Sequence, residues 1–199
     1  QAKIFNDFYR IEAGDNIEAS NGKLPISLSP ALFQKQYTYE LPVASAQVKS
    51  SILLAGLAAG VGIKIIEPVQ TRDHTERMLK HFGANIEITS QGSKNVIQLS
   101  SFNNLQAQDY KVVGDISSAA FLIVGALISN SPGLEITNVG MNPSRTGVLD
   151  ALQKMGANIE VKNQRLESGE PCADLEVKES VLRGVELSGD IIPNIIDEI

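Results

Sequence analysis

The sequence predicts an α/β (α+β) chain of repeated βαβαββ units, with helices packed within mixed sheets and two partial domains. Three observations predict it. First, Gly14-Asp15-Asn16-Ile17-Glu18 recurs as Gly83-Ala84-Asn85-Ile86-Glu87 and as Gly156-Ala157-Asn158-Ile159-Glu160. Second, helix-like apolar spacing leads into the later copies, through Met78, Leu79 and Phe82 and through Val148, Leu149, Leu152 and Met155. Glycine at that point is the expected residue after a helix, because it enters the left-handed region without steric cost. Third, Ser45, Asp115 and Asp190 recur as helix-capping residue types at matching places.

The elements follow in order. One complete unit covers residues 37–100, with strands near Tyr37–Val43, Gly62–Glu67, Asn85–Thr89 and Asn95–Leu99. Its helices lie near Ser45–Ala59 and Arg72–Phe82. A second unit covers residues 110–179 by the same alignment, in which Ile52-Leu53-Leu54 matches Leu122-Ile123-Val124 and Thr71-Arg72 matches Ser144-Arg145. The tail of an earlier unit precedes Pro30, and a later one begins near Arg183, with Pro193 opening a helix. Loops are expected at Ser20–Lys23, Ser90–Lys94 and Asn163–Gly169.

Composition bounds the function. With 43% hydrophobic residues over 199 positions the chain can bury a core, but at 5% aromatic and no Trp that core must be aliphatic. A formal net charge of −6 argues against general nucleic-acid or membrane-surface binding, which needs a basic face. No apolar run reaches transmembrane length. Cys172 is the single cysteine, so no internal disulfide forms, in keeping with a reducing compartment. The chain opens at Gln1 without Met and closes on Asp-Glu-Ile, so it reads as a fragment of a longer protein.

Chemistry concentrates in Leu41–Gly60. Ser45, Gln47, Ser50 and Ser51 flank Lys49, and the apolar run Ile52–Leu57 follows. A helix start carries free N–H groups and partial positive charge. Hydroxyls, an amide and a Lys beside it suit an anionic, hydroxylated small molecule. The same residues also suit an ordinary capped core helix, and the segment alone does not separate the two. His74 and His81, seven apart, have no Cys or acidic cluster at metal-ligand spacing and read as surface or packing residues. Cys172 reads as buried or incidental rather than nucleophilic.

These residues resemble the 5-enolpyruvylshikimate-3-phosphate synthases (3-phosphoshikimate 1-carboxyvinyltransferases). The match runs through Leu41–Leu57, Thr71–Gly83, Gly114–Leu127, Asn142–Gly156 and the closing segment from Gly189. The resemblance implies an enolpyruvyl transferase-like fold. Residues 1–112 would then complete a first domain and residues 113–199 open a second, crossing near Val112–Asp115. It implies enolpyruvyl transfer from phosphoenolpyruvate to the 5-hydroxyl of shikimate 3-phosphate, in a cytoplasmic and monomeric enzyme without metal or organic cofactor.

The resemblance also implies roles. Ser45, Ala46 and Gln47 fall in the motif that binds shikimate 3-phosphate, with Ser45 both cap and ligand and the Ala46 N–H a donor. Arg72 matches an arginine on the same ligand; its plain alternative is a surface ion pair with Asp73 or Glu76. Asp197 matches the catalytic aspartate, which holds ring hydroxyls and takes the 5-hydroxyl proton. Its plain alternative is a solvated chain end, and Glu198 is its neighbour. Arg145 receives no ligand, Lys49 is read with the alternative of a solvated residue beside a cap, and Ser117–Ser118 are expected to cap. The basic residues of the phosphoenolpyruvate site have no counterpart here, so this segment alone is expected to be inactive. A nucleotide-sugar enolpyruvyl transferase and a non-catalytic scaffold of the same repeats stand as alternatives.

Overall fold

The computed structural model describes residues 17–20, 23–28, 36–92, 94–130, 132–195 and 197–198. Contacts divide the chain into two compact units, Gln1–Thr71 with Phe82–Gln106, and Arg72–His81 with Ala107–Ile199.

Among the described residues, the first unit holds a hairpin, a mixed sheet and one long helix. β1 (Ile17–Ser20) pairs antiparallel with β2 (Lys23–Leu28). β3 (Gln36–Glu40) leads to α1 (Ala46–Ala59), which returns the chain to β4 (Gly62–Glu67), parallel to β3. β5 (Ile86–Gln91) and β6 (Lys94–Leu99) form a hairpin that adds antiparallel to β4, in the order β3-β4-β6-β5. Strand alternation sends Ile63, Ile65 and Glu67 to one buried face. α1 covers the sheet with Val48, Ile52 and Leu53. Five of these six inward positions are aliphatic, which makes Glu67 the exception to explain.

The second unit includes α2 (His74–His81), α3 (Ile116–Ile128) and α4 (Gly147–Lys154). Its strands β7 (Leu134–Gly140), β8 (Asn158–Glu167) and β9 (Glu170–Lys178) form an antiparallel sheet in the order β7-β9-β8. Ile123 and Leu127 from α3 and Leu149 from α4 pack with Leu175 and Val177 of β9 to make the core. A 3-10 turn, Gly189–Asn194, contributes the next residue, Ile195, to the same core.

Helix and strand positions follow the expectation with end shifts of a few residues. Gly83 and Gly156 take φ of 86° and 95°, as the left-handed role requires. The first copy of that motif, Gly14–Asn16, lies outside the described residues.

Three details differ. The strand before α3 shrinks to one parallel bridge, Gly114 with Val139, beside the irregularity of β7 between Ile136 and Val139, where Asn138 has φ 57°. The expected loop Asn163–Gly169 is mostly strand. Asn163, at φ 50°, accommodates a bulge there, and the turn narrows to Ser168–Gly169, both at positive φ. At the third repeat the element is the 3-10 turn. Ser188 stands at its cap position without a side-chain hydrogen bond, and Pro193 lies inside the turn rather than opening a helix.

Candidate functional site

The expected site residues fall in two groups, one in each unit. In the first unit, Ser45 is the N-cap of α1, with extended backbone, and its hydroxyl accepts from the Val48 N–H at a long 3.4 Å. It also donates weakly to Gln47 Oε1 at 3.4 Å. Ser45 and Ala46 are half-buried and Gln47 is exposed. The first turn of α1 holds no acidic residue. The positive end of this helix therefore meets no carboxylate from its own first turn or cap.

Lys49 does not join that surface. It is 1% exposed, and its Nζ lies 3.1 Å from Glu67 Oε2, inside the first unit. Thr71 Oγ1 donates to the same carboxylate oxygen at 2.9 Å. The solvated reading of Lys49 is thus overturned, as is its use for a ligand at the helix start. The cause is helical phase. Lys49 is three, four and seven residues before Ile52, Leu53 and Gly56, all buried. Glu67 is in phase with Ile63 and Ile65. Two inward charges can be accommodated only as a pair. That phase was readable in the sequence and is the signal that the cap-centred reading missed.

In the second unit, Arg72 and Asp197 come together, Nη2 to Oδ2 at 2.7 Å, although 125 residues separate them. Asp73, one of the plain partners for Arg72, instead pairs with Arg77 at 2.9 Å. The Arg72–Asp197 side chains remain 35% and 50% exposed. In water such a pair contributes at most about 1 kcal/mol, so little stability is lost if a ligand takes over either partner.

The start of α3 is arranged differently. Asp115 accepts from the N–H groups of Ser117 at 3.4 Å and Ser118 at 3.0 Å, and from the Ser118 hydroxyl at 2.9 Å. Arg145 Nη2 closes on Asp115 Oδ1 at 2.9 Å and on the Ser117 hydroxyl at 2.6 Å. Partial burial pushes the Asp115 carboxyl up, but the Ser118 and Ser117 bonds and the Arg145 charge outweigh it and hold it below the usual carboxylate range. Asp115 caps as its residue type predicts, whereas Ser117 and Ser118, expected to cap, are the donors it caps. Ser117 also donates to Glu198, which the sequence reading passed over.

The histidines make packing contacts. His74 Nδ1 lies 2.8 Å from buried Glu170, and His81 Nε2 lies 3.2 Å from the Asp109 carbonyl. Cys172 is buried. No helix among the described residues is long and apolar enough to cross a membrane.

Residues 9–199 match the family model of EPSP synthase (3-phosphoshikimate 1-carboxyvinyltransferase). The chain belongs to the EPSP synthase family. It is 49% identical over 180 residues to 3-phosphoshikimate 1-carboxyvinyltransferase of Petrotoga mobilis, covering 90% of this chain and 41% of the relative. The Bacillus cytotoxicus protein of the same name is 50% identical over 162 residues, covering 81% and 37%. The solved EPSP synthase from Acinetobacter baumannii superposes with a TM-score of 0.85 at 40% identity, over 98% of this chain and 44% of that one. The chain thus spans about two fifths of the length of these curated relatives. An enolpyruvyl transferase-like fold of mixed sheets and helices is what the family match and the superposition give. The two alternatives, a nucleotide-sugar enolpyruvyl transferase and a non-catalytic binding or scaffold module, are not favoured by these relatives.

Proposed function

We propose that the whole protein carrying this chain transfers the enolpyruvyl group of phosphoenolpyruvate to the 5-hydroxyl of shikimate 3-phosphate and releases phosphate. It acts in the cytoplasm, on the shikimate route to aromatic amino acids. The family match over residues 9–199 carries the reading, and the 2.7 Å approach of Arg72 to Asp197 supports it.

Ser45, Ala46 and Gln47 are assigned to shikimate 3-phosphate. The neutral start of α1 offers an N–H dipole and a hydroxyl to an anion, and the Gln47 amide can reach a second ligand. Arg72 is assigned to the same ligand through its planar guanidinium. Asp197 is assigned two tasks, holding ring hydroxyls and accepting the proton as the 5-hydroxyl attacks. Residues 1–112 are assigned to the first domain of the parent and residues 113–199 to the second. The 199-residue segment alone is expected not to turn over, since two anionic substrates require more cationic groups than this site holds.

Phosphate release with both substrates tests the assignment in the full-length protein. Asp197→Asn should lower kcat by about 10²–10⁴-fold, the usual contribution of a general base. No release by the unaltered full-length protein, or an Asp197→Asn rate equal to it, ends the reading. Calorimetry with shikimate 3-phosphate adds a check on Arg72→Ala, whose binding should weaken.

A further inference from the structure

Asp197 sits on a short turn whose two flanks are tied down while its own side chain is half in solvent. On one flank, Ile195 is 2% exposed and belongs to the core of the second unit. It abuts the start of α4 so closely that a Cβ added to Gly147 would stand 2.6 Å from Ile195 Cγ2. A side chain at position 147 would therefore displace the turn. On the other flank, half-buried Glu198 accepts a hydrogen bond from Ser117 Oγ at the start of α3.

That bond has a fixed direction. Arg145 can only donate, so the Ser117 oxygen accepts from its Nη2 at 2.6 Å. An ionised carboxylate can only accept, so the Ser117 proton points to Glu198. The same Arg145 nitrogen is anchored on Asp115 at 2.9 Å. One cation thus orders a hydroxyl that holds the residue next to Asp197. Asp197 itself makes a solvent-exposed contact with Arg72, and that contact is too weak to define the turn.

We propose that Glu198 is a positioning residue for Asp197, with Ser117 and Arg145 fixing it from the start of α3. Catalytic geometry is sensitive to this, since a misplacement of about 1 Å costs on the order of a hundredfold in rate. The proposal rests on Asp197 being the base, and the test separates the two.

The test is steady-state kinetics of the full-length protein with shikimate 3-phosphate and phosphoenolpyruvate, alongside thermal melting. Glu198→Ala and Ser117→Ala should each lower kcat about ten- to a hundredfold, with the KM for shikimate 3-phosphate moving less than about threefold. Glu198→Gln keeps an acceptor for the Ser117 hydroxyl and should recover most of the rate. In an Asp197→Asn background, Glu198→Ala should cost less than about twofold more, because a residue acting through Asp197 has nothing left to position. A kcat for Glu198→Ala within twofold of the parent overturns the proposal. So does an undiminished loss in the Asp197→Asn background, or a melting loss that Glu198→Gln restores without restoring rate. If Asp197→Asn alone leaves kcat unchanged, the reading of Asp197 has failed, whatever Glu198 does.

Discussion

The starts of α1 and α3 occupy the same place in successive repeats, yet one is left open and the other filled. At α1 the cap is Ser45, neutral and half-buried, with no acidic residue in the first turn. At α3 the cap is Asp115, which takes three hydrogen bonds from Ser117 and Ser118 and pairs with Arg145. Both satisfy the orphan N–H groups that begin a helix. Only the second cancels the helix's positive end with a carboxylate. On the proposed reading an anion would meet no carboxylate in the cap or first turn of α1, and would meet the Asp115–Arg145 pair at α3. The repeat supplies one scaffold, and the two caps differ in charge.

The interiors differ in the opposite sense. Lys49, four residues after Ser45, is matched by Ala119, four after Asp115, and both are buried. The copy with the neutral cap carries the buried ion pair; at the same helical position the copy with the charged cap buries only Ala119. The largest expected effect tests this contrast. Glu67→Ala removes the carboxylate that pairs with the buried Lys49 ammonium and should destabilise the first unit by about 3–5 kcal/mol. The paired change Lys49→Met with Glu67→Leu should cost less than Glu67→Ala alone, because the two charges leave together and their desolvation cost goes with them. Denaturant unfolding of the full-length protein reads both. A loss below about 1 kcal/mol for Glu67→Ala would mean the pair is not sealed from water, and the contrast between the copies would lapse.

The next effect separates capping from ligand binding at Ser45. Ser45→Ala removes the cap and should cost about 1 kcal/mol of stability. Ser45→Asp keeps a cap and adds favourable charge at the helix start, so stability should equal or exceed the parent's. For shikimate 3-phosphate the order reverses. Loss of one hydrogen bond in Ser45→Ala should weaken binding about tenfold, while the added carboxylate in Ser45→Asp should weaken it further, by like-charge repulsion. Calorimetry beside thermal melting decides. Affinity that tracks stability through both variants would make Ser45 a cap and nothing more.

Much of this was legible before the structure. Period-2 runs such as Gly62–Glu67 and the Gly-terminated helices at Gly83 and Gly156 are local signals, and the residues that carry them fold as local physics dictates. The capping roles of Ser45 and Asp115 follow from residue type and place. What stayed hidden depends on distant partners. Arg72 meets Asp197 across 125 residues, and Ser117 meets Glu198 across 81. No periodicity reports such pairs, and the family resemblance proposed a role for Asp197 while leaving Glu198 as its neighbour. Between these extremes lies Lys49. Its inward phase was present in the spacing to Ile52, Leu53 and Gly56, but charge was allowed to outweigh phase. The bulge at Asn163 was missed for a related reason, since a turn-type residue inside a strand can mark a kink as readily as a loop.

The smallest effect concerns acid. Ser45 does not titrate in the working range, whereas Asp115 does, and its folded carboxyl lies below the ordinary value because the hydrogen bonds and Arg145 outweigh its partial burial. A group whose folded pKa is depressed lends stability above its unfolded pKa, about 3.9 for Asp, and loses it as pH falls through the lower folded value. The carboxylate is half exposed, so solvent screening keeps this below about 1 kcal/mol. Asp115→Asn preserves a capping side chain but removes the titration. The parent should therefore exceed Asp115→Asn in melting temperature near neutrality, and the gap should close as pH falls from 6 to about 3. A gap that holds constant over that range would show that Arg145 gains nothing from the charge on Asp115. The filled cap would then differ from the open one in shape alone, and charge would give no ground for proposing an anion at α1 rather than at α3.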